Sequence, residues 1–186
     1  MQTERVDLKA GKSVRFDLVS NSGAGEKGAW VTAEYTLTSL KLLFYAYDGD
    51  IISYGKAYNE PLWKGDTVEM FVTLGRDDRY LELEVNPDGI TYAALVENDG
   101  DGRFRLEFLD ETPFEATAER VEDGYVSRWE VPLDNLKKLG FDPENAKFNL
   151  YMQDYCKDGL KLYALNPTLK DSFHVVSAFV PLKLSE

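Results

Sequence analysis

The chain has 186 residues, with 33 acidic against 21 basic residues and a formal net charge of −12. This length is typical of one domain and allows a hydrophobic core without disulfides or structural metals. The negative charge opposes binding to nucleic-acid phosphates or anionic membranes, so neutral or cationic partners are favoured.

The single cysteine, Cys156, excludes an intramolecular disulfide and multi-cysteine zinc sites. The sequence suggests no function for it. No segment approaches the roughly 18 apolar residues of a membrane-spanning helix. We therefore expect a soluble polypeptide, extracellular if it was excised from a secreted enzyme and cytoplasmic if the chain is complete, which leaves its localisation open.

Short apolar and alternating runs bounded by turn residues predict strands along the whole chain. Outside one central hairpin the runs are Val6–Leu8, Val14–Leu18, Trp30–Thr36, Leu40–Tyr47, Thr91–Val96, Phe104–Leu109, Phe114–Val121, Tyr125–Leu133, Lys147–Tyr155, Leu160–Leu165 and Ala178–Leu184. Asp134–Leu139 is predicted to be a short helix with Asp134 as N-cap and Gly140 as C-cap. The pattern predicts one all-β domain over residues 1–186, an antiparallel β-sandwich (immunoglobulin-like or jelly-roll-like) with one short helix; a barrel is the alternative.

The central hairpin spans Glu60–Gly89 and alternates with the period of half-buried strands. If Gly75–Asp78 form its turn, Met70 lies opposite Leu83, and Glu69 lies opposite Glu84. Like charges directly across a strand pair are unfavourable. The glutamates therefore require a cation, a basic side chain or a hydroxyl-rich ligand between them, unless they are simply solvated and screened.

Two acidic turns offer hard oxygen ligands for a calcium ion. They contain Asp48 and Asp50, and Asp99 and Asp101. Neither turn has the complete ligand run of a calcium-binding loop, so plain turns are the alternative and the metal ligands stay unknown.

Several fragments together resemble the family 9 carbohydrate-binding modules, within the DOMON-like β-sandwiches, from about Trp30 to Leu184. The fragments are Pro61-Leu62-Trp63-Lys64-Gly65-Asp66-Thr67-Val68-Glu69-Met70-Phe71, Glu84-Val85-Asn86-Pro87-Asp88-Gly89, Trp129-Glu130-Val131-Pro132-Leu133, Phe148-Asn149-Leu150-Tyr151 and Phe173-His174 with Phe179. The resemblance implies non-catalytic binding of polysaccharide chain ends or small sugars, possible structural calcium, and attachment to a glycoside hydrolase in a longer parent chain. Oligo- or polysaccharide is then the expected partner of a monomer, with no nucleic acid and no membrane.

In that family two aromatic side chains clamp a terminal sugar and polar groups bind its hydroxyls. Trp63 matches the first aromatic, Phe173 falls at the second, and Glu69 matches a hydroxyl-binding carboxylate. Some such modules carry Arg at the position of Glu84, so the sugar preference need not be the same. The chemistry of a sugar ring, with an apolar face and a polar rim, favours the same kind of site. The candidate binding residues are Trp63, Glu69, Glu84, Asn149, Tyr151, Gln153 and Phe173.

Other functions stay open at this point. Glu69, Glu82 and Glu84 share a strand face, and paired carboxylates about 5–10 Å apart serve glycosidases. Alternatively, the Trp63 region docks a protein partner, and Trp63 and Phe173 can each be ordinary packing residues. The only histidine, His174, is not accompanied by the Gly-x-Ser-x-Gly nucleophile elbow of a serine hydrolase. No haem is expected, because Met70 and Met152 fall on predicted core faces.

Overall fold

A computed structural model describes residues 4–100 and 103–186. It contains thirteen strands, one α-helix and two single-turn 3₁₀ segments. The strands are β1 (Val6–Lys9), β2 (Ser13–Ser20), β3 (Lys27–Tyr35), β4 (Ser39–Tyr47), β5 (Thr67–Arg76), β6 (Arg79–Val85), β7 (Thr91–Asn98), β8 (Phe104–Phe108), β9 (Glu115–Val121), β10 (Gly124–Pro132), β11 (Lys147–Cys156), β12 (Gly159–Ala164) and β13 (Val180–Ser185). The helix α1 is Leu133–Lys138, and the 3₁₀ segments are Leu62–Lys64 and Val176–Ala178.

The strands form the two layers of an all-β sandwich. One layer runs β8-β7-β6-β5-β11-β12 and the other runs β2-β3-β4-β10-β9. A short antiparallel pairing of β12 with β2 joins them at one edge. The pairings along both layers are antiparallel, while β1 and β13 pair in parallel. The predicted fold class is therefore confirmed.

Alternate residues of both layers fill the main hydrophobic core. Met70 and Leu83 from one layer and Phe44 and Trp129 from the other belong to the same buried cluster. Burying apolar area contributes about 25 cal/mol per Å², so this interleaved core is the main source of stability. Met70 and Met152 both lie in it, as the alternation predicted.

The predicted register of the central hairpin is confirmed, since Met70 pairs with Leu83 and Glu69 with Glu84. The turn is shorter than predicted. β5 continues to Arg76 after an irregularity that begins at Thr73, and β6 begins at Arg79. A bulge lets the chain keep its register while the two strands extend further than the alternation indicated.

The predicted helix caps are wrong. The N-cap of α1 is Pro132, with no side-chain hydrogen bond, and Asp134 lies inside the first turn. Leu139 is the C-cap, and Gly140 follows it with φ +106°. An acidic residue in the first turn is favourable without capping, because it complements the helix dipole.

The layer containing β5, β6 and β11 is buried on both faces. On the face away from the main core, Phe71, Tyr80 and Tyr151 pack against Phe173 and Phe179 of the segment 165–179. This covering segment, together with the 3₁₀ turn at Leu62–Lys64, encloses the polar residues of the central hairpin. None of the helices within the described parts of the chain is long and apolar enough to span a membrane.

Candidate functional site

Cross-strand pairing lines up the polar residues of the central hairpin in two rows. One row runs Tyr151, Glu69, Glu84 and Tyr92 across β11, β5, β6 and β7. The next row runs Asn149, Phe71, Glu82 and Ala94 across the same strands. Because side chains alternate along a strand, both rows project from the face opposite the main core.

Three glutamates from these rows form one cluster, called the glutamate triad (Glu69, Glu82 and Glu84). Each contributes a carboxylate oxygen, and these oxygens lie within 4.8 Å of one another. The three residues are only 3%, 5% and 0% exposed, respectively. The expectation that Glu69 and Glu84 face each other is confirmed, and the alternative of solvated, screened carboxylates is wrong because both are buried.

The hydrogen bonding of the triad is incomplete. Thr67 Oγ1 donates to Glu69 Oε1 at 2.7 Å. Both carboxylate oxygens of Glu84 and one of Glu82 are buried with no donor from the rest of the chain. When one of them is protonated, Glu82 and Glu84 hydrogen-bond to each other. Buried carboxylates are ordinarily paired or hydrogen-bonded, so these oxygens are positioned to receive donors from a bound group.

Burial raises the pKa of all three carboxyls, and neighbouring carboxylates raise it further for Glu69 and Glu84. Burial is the largest cause for Glu69, followed by the charge of Glu82, and brings its pKa to about 8. Burial also brings the pKa of Glu82 to about 7. The pKa of Glu84 is raised by burial and then by its two neighbours. At neutral pH the triad therefore retains protons that a bound cation or donor would displace.

Trp63 is held beside the triad by local backbone constraints. It lies in the 3₁₀ turn after Pro61 and is 37% exposed. Gln153 Nε2 donates to the carbonyl oxygens of Trp63 at 2.8 Å and Gly65 at 2.9 Å, which ties this turn to β11. The indole packs edge-on against Tyr92 at a centroid distance of 5.3 Å. The indole is thus anchored along one edge while remaining accessible.

A cleft of about 330 Å³ brings the triad and the aromatic side chains together. Its lining includes Trp63, Glu69, Glu82, Glu84, Gln153 and Phe173. Among the residues that the structure describes, no lysine or arginine lines this cleft. The cleft is therefore acidic and aromatic, which disfavours an anionic ligand.

Phe173 lies in the cleft lining but is only 6% exposed. Its ring stacks on Tyr151 at 4.2 Å and 18°, so one face of the ring is already covered. Tyr151 is fully buried, and its hydroxyl donates to the Phe173 carbonyl at 3.2 Å. The structure therefore places Tyr151 beneath the cleft, where it supports Phe173.

Asn149 is not brought into the cleft. Its Nδ2 donates to the carbonyls of Asn166 at 2.8 Å and Ala178 at 3.1 Å. Its Oδ1 accepts from the backbone N–H groups of Leu150 at 2.9 Å and Asn166 at 3.1 Å. This amide fastens the covering segment to β11 from a fully buried position.

No motif or spacing in the sequence singles out Phe104 for the site. It is 44% exposed, lines the cleft and stacks on His174 at 3.9 Å. His174 Nδ1 lies 2.7 Å from the Tyr80 hydroxyl, and burial lowers the pKa of His174 to about 4. The imidazole is neutral at physiological pH, and the pair forms a second aromatic wall.

A separate aspartate cluster (Asp48, Asp50 and Asp154) offers carboxylate oxygens within 4.8 Å of one another. One oxygen each of Asp48 and Asp154 is buried without a hydrogen-bond partner. Burial and the charge of Asp48 raise the pKa of Asp154 to about 6. Oxygen ligands in this arrangement suit a hard divalent cation such as calcium.

The metal candidates from the sequence are thus only partly brought together. Asp48 and Asp50 meet, and Asp154 joins them from β11, which the sequence could not show because the contact is long-range. Asp99 accepts a hydrogen bond from the backbone of Arg103 at 3.2 Å, within its own turn. Asp101 lies outside the described residues.

Comparison with solved structures shows a shared fold over almost the whole chain. A Bacteroides uniformis protein proposed to bind carbohydrate superposes with a TM-score of 0.76 at 14% identity, covering 98% of this chain and 99% of that protein. A family 9 carbohydrate-binding module from Caldicellulosiruptor kristjanssonii, solved with cellotriose, gives 0.66 at 16% identity over 98% and 94% of the two chains. The same kind of module with glucose gives 0.67 at 16% identity over 98% and 96%.

Sequence comparison gives a more local likeness. A protein of Arthroderma benhamiae described as an extracellular protein is 31% identical over 100 residues. The match covers 50% of this chain and 43% of that protein, so the chain spans less than half of the relative's length. No family model matches the sequence.

Proposed function

We propose that this chain is a non-catalytic carbohydrate-binding domain whose site is the cleft between Trp63 and the glutamate triad. The observation that carries the proposal is an accessible indole beside buried carboxylate oxygens that lack hydrogen-bond partners. A sugar ring stacks its C–H face on an aromatic surface while its hydroxyls donate to carboxylates. The fold likeness to modules solved with cellotriose and glucose supports this choice of ligand class.

The size of the cleft favours a chain end or a small sugar. At about 330 Å³ it lies at the lower limit of ligand pockets, which run from about 300 to 1,000 Å³. In this proposal Trp63 is the stacking surface, Glu69 and Glu84 accept hydrogen bonds from sugar hydroxyls, and Phe173 closes the far side. Gln153 positions Trp63 through its backbone carbonyl.

An enzymatic alternative has one specific observation in its favour. The triad's oxygens lie within 4.8 Å of one another and carry raised pKa values, and glycosidases use close carboxylate pairs of that kind. The binding function is preferred because the similar structures with bound sugars are binding modules. Release of the chromophore from aryl glycosides, lost in Glu69→Gln, would favour the enzyme.

We also propose that the aspartate cluster holds a structural calcium ion. Asp48 and Asp154 supply buried oxygens without partners, and Asp50 supplies a third carboxylate. The neighbouring Asp66 is already occupied, because it accepts backbone hydrogen bonds from Ile52 and from Tyr155. Calcium would tie the turn after β4 to β11 at this end of the sandwich.

The proposed function is tested by sugar binding followed through tryptophan fluorescence and calorimetry. Cellotriose and glucose are titrated into the wild-type chain, into Trp63→Ala and into Trp30→Ala. Trp30 is a matched control, because it is a partly buried tryptophan on the other layer, stacked on Tyr45. Losing the stacking surface should weaken binding at least about tenfold in Trp63→Ala.

The Trp30→Ala variant should bind as the wild type does. Melting temperatures of all three chains show that they are folded. If Trp63→Ala binds either sugar as tightly as the wild type, the site lies elsewhere and the proposal fails.

A further inference from the structure

We propose that the glutamate triad recognises a positively charged amine on the ligand, so that the cleft prefers an amino sugar with a free amino group over a neutral sugar. This inference rests on the proposed function and names the ligand class of the same site. It begins from an imbalance between acidic groups and the donors that could bind them. Three carboxylates are buried together, and no lysine or arginine from the described chain lines the cleft.

The missing hydrogen-bond donors are concentrated at Glu84. It is fully buried, and apart from the carboxyl of Glu82 neither of its oxygens has a donor. On either side lie Glu69 across the strand pair and Glu82 two residues earlier on β6. The hydroxyl of Tyr92, the next residue in the same row, is also buried without a partner. A neutral hydroxyl donates one proton, whereas a protonated amine donates three and supplies the missing positive charge.

The surroundings of the triad favour an amine over a bare metal ion. Calcium takes six to eight oxygen ligands and is usually held by turns rich in short carboxylates. That description suits the aspartate cluster. The triad instead lies on rigid strands at the floor of a cleft with room for a ligand of about 330 Å³. We therefore infer that the cation bound by the triad is a group on a larger ligand.

Aromatic side chains add to this preference. Trp63 and Phe104 are 37% and 44% exposed and line the same cleft. A ring face attracts a nearby cation, and more strongly when water is excluded. Carboxyl groups at the floor of the cleft and aromatic rings at its sides therefore suit a cationic group attached to the apolar face of a sugar.

The test compares sugars that share one ring and differ in the substituent on C2, of which only the amine is charged. Glucosamine, glucose and N-acetylglucosamine are titrated at pH 7 into the wild-type chain, Glu84→Gln and Glu107→Gln, with and without a chelator and with calcium. Glu107 is an exposed carboxylate on β8 and controls for general charge attraction. Glucosamine should bind at least about tenfold more tightly than either neutral sugar, as expected for a hydrogen-bonded charge. Glu84→Gln should erase that preference, and Glu107→Gln should keep it.

Three results overturn the inference in distinguishable ways. Equal affinity for the three sugars in chelator rejects the amine but leaves the proposed function standing. Binding of neutral sugars that depends on calcium and vanishes in Glu84→Gln assigns the triad to a metal. Absence of binding by all three sugars and by cellotriose rejects the proposed function together with the inference. Should Glu84→Gln not fold, Glu69→Gln tests the same preference.

Discussion

Asn149 and the glutamate triad are buried polar groups on the same sheet face, yet their hydrogen bonding differs completely. Asn149 lies in the same cross-strand row as Glu82. Its amide donates to two carbonyls and accepts from two N–H groups. Glu84, equally buried, has no partner for its oxygens other than the neighbouring carboxyl of Glu82.

This difference separates a structural polar group from one that is available to a ligand. A buried group whose partners are all present stabilises the fold, whereas one without partners costs free energy until something binds. The aspartate cluster is intermediate. Asp48 Oδ1 accepts from the Asp50 backbone N–H at 3.0 Å, while its other oxygen lacks a partner.

The largest expected effect is a loss of stability on replacing Asn149, whose hydrogen bonds are all formed within the fold. Asn149→Ala leaves two buried carbonyls and two N–H groups without this partner, and should lower the free energy of unfolding by about 2–4 kcal/mol. Chemical denaturation measures the loss. The folded variant should bind sugar with unchanged affinity. If instead the fold is unaffected and binding is lost, Asn149 contacts the ligand directly.

Calcium should give the next largest effect, by completing the aspartate cluster. Calcium at about 100 times its Kd adds about 2.7 kcal/mol of stability, or roughly 5–10 °C in melting temperature. Thermal melting in calcium and in chelator measures it. Asp154→Asn should abolish the difference, whereas Asp158→Asn, in the exposed turn after β11, should retain it. An identical melting temperature in calcium and chelator would argue against the ion.

The glutamate triad should change stability in the opposite direction, and the change should depend on pH. In the folded chain the pKa values of Glu69 and Glu82, about 8 and about 7, exceed the ordinary 4.5. The folded state therefore binds more protons between these values. Without ligand, the contribution of the triad to stability is greatest below about pH 4.5 and is lost as pH rises to about 8.

Replacing Glu84 by glutamine removes one charge from this set. Glu84→Gln should be about 1–3 kcal/mol more stable than the wild type at pH 8, with the gain shrinking toward pH 5. Denaturation at several pH values in chelator measures this, with Glu107→Gln as the control. A destabilised Glu84→Gln at pH 8 would show that the carboxylate has a stabilising partner inside the fold.

The hairpin could be predicted from the sequence because its register depends on local alternation. The period of two placed Met70 and Leu83 in the core and made Glu69 and Glu84 neighbours. The same alternation put Asn149 and Gln153 on one strand face, but gave them the same role. Only the long-range contact of Asn149 with Asn166 and Ala178 separates their surroundings.

Burial of the triad could not be predicted for the same reason. It depends on the covering segment 165–179 and on the turn at Leu62–Lys64, both of which are irregular. Asp154 likewise meets Asp48 across more than a hundred residues. Distant contacts of this kind leave no periodic pattern in the sequence.

The central claim is that the unpartnered carboxylates bind the ligand, and carboxyl ¹³C NMR tests it most directly. The side-chain carboxyl signals of Glu69, Glu82, Glu84 and the exposed Glu107 are followed through a pH titration, without sugar and with saturating cellotriose or glucosamine. We predict that the triad titrates well above the ordinary 4.5, near 8 for Glu69, and that sugar shifts the three triad signals but not Glu107. Triad signals that stay unchanged in saturating sugar would contradict the claim.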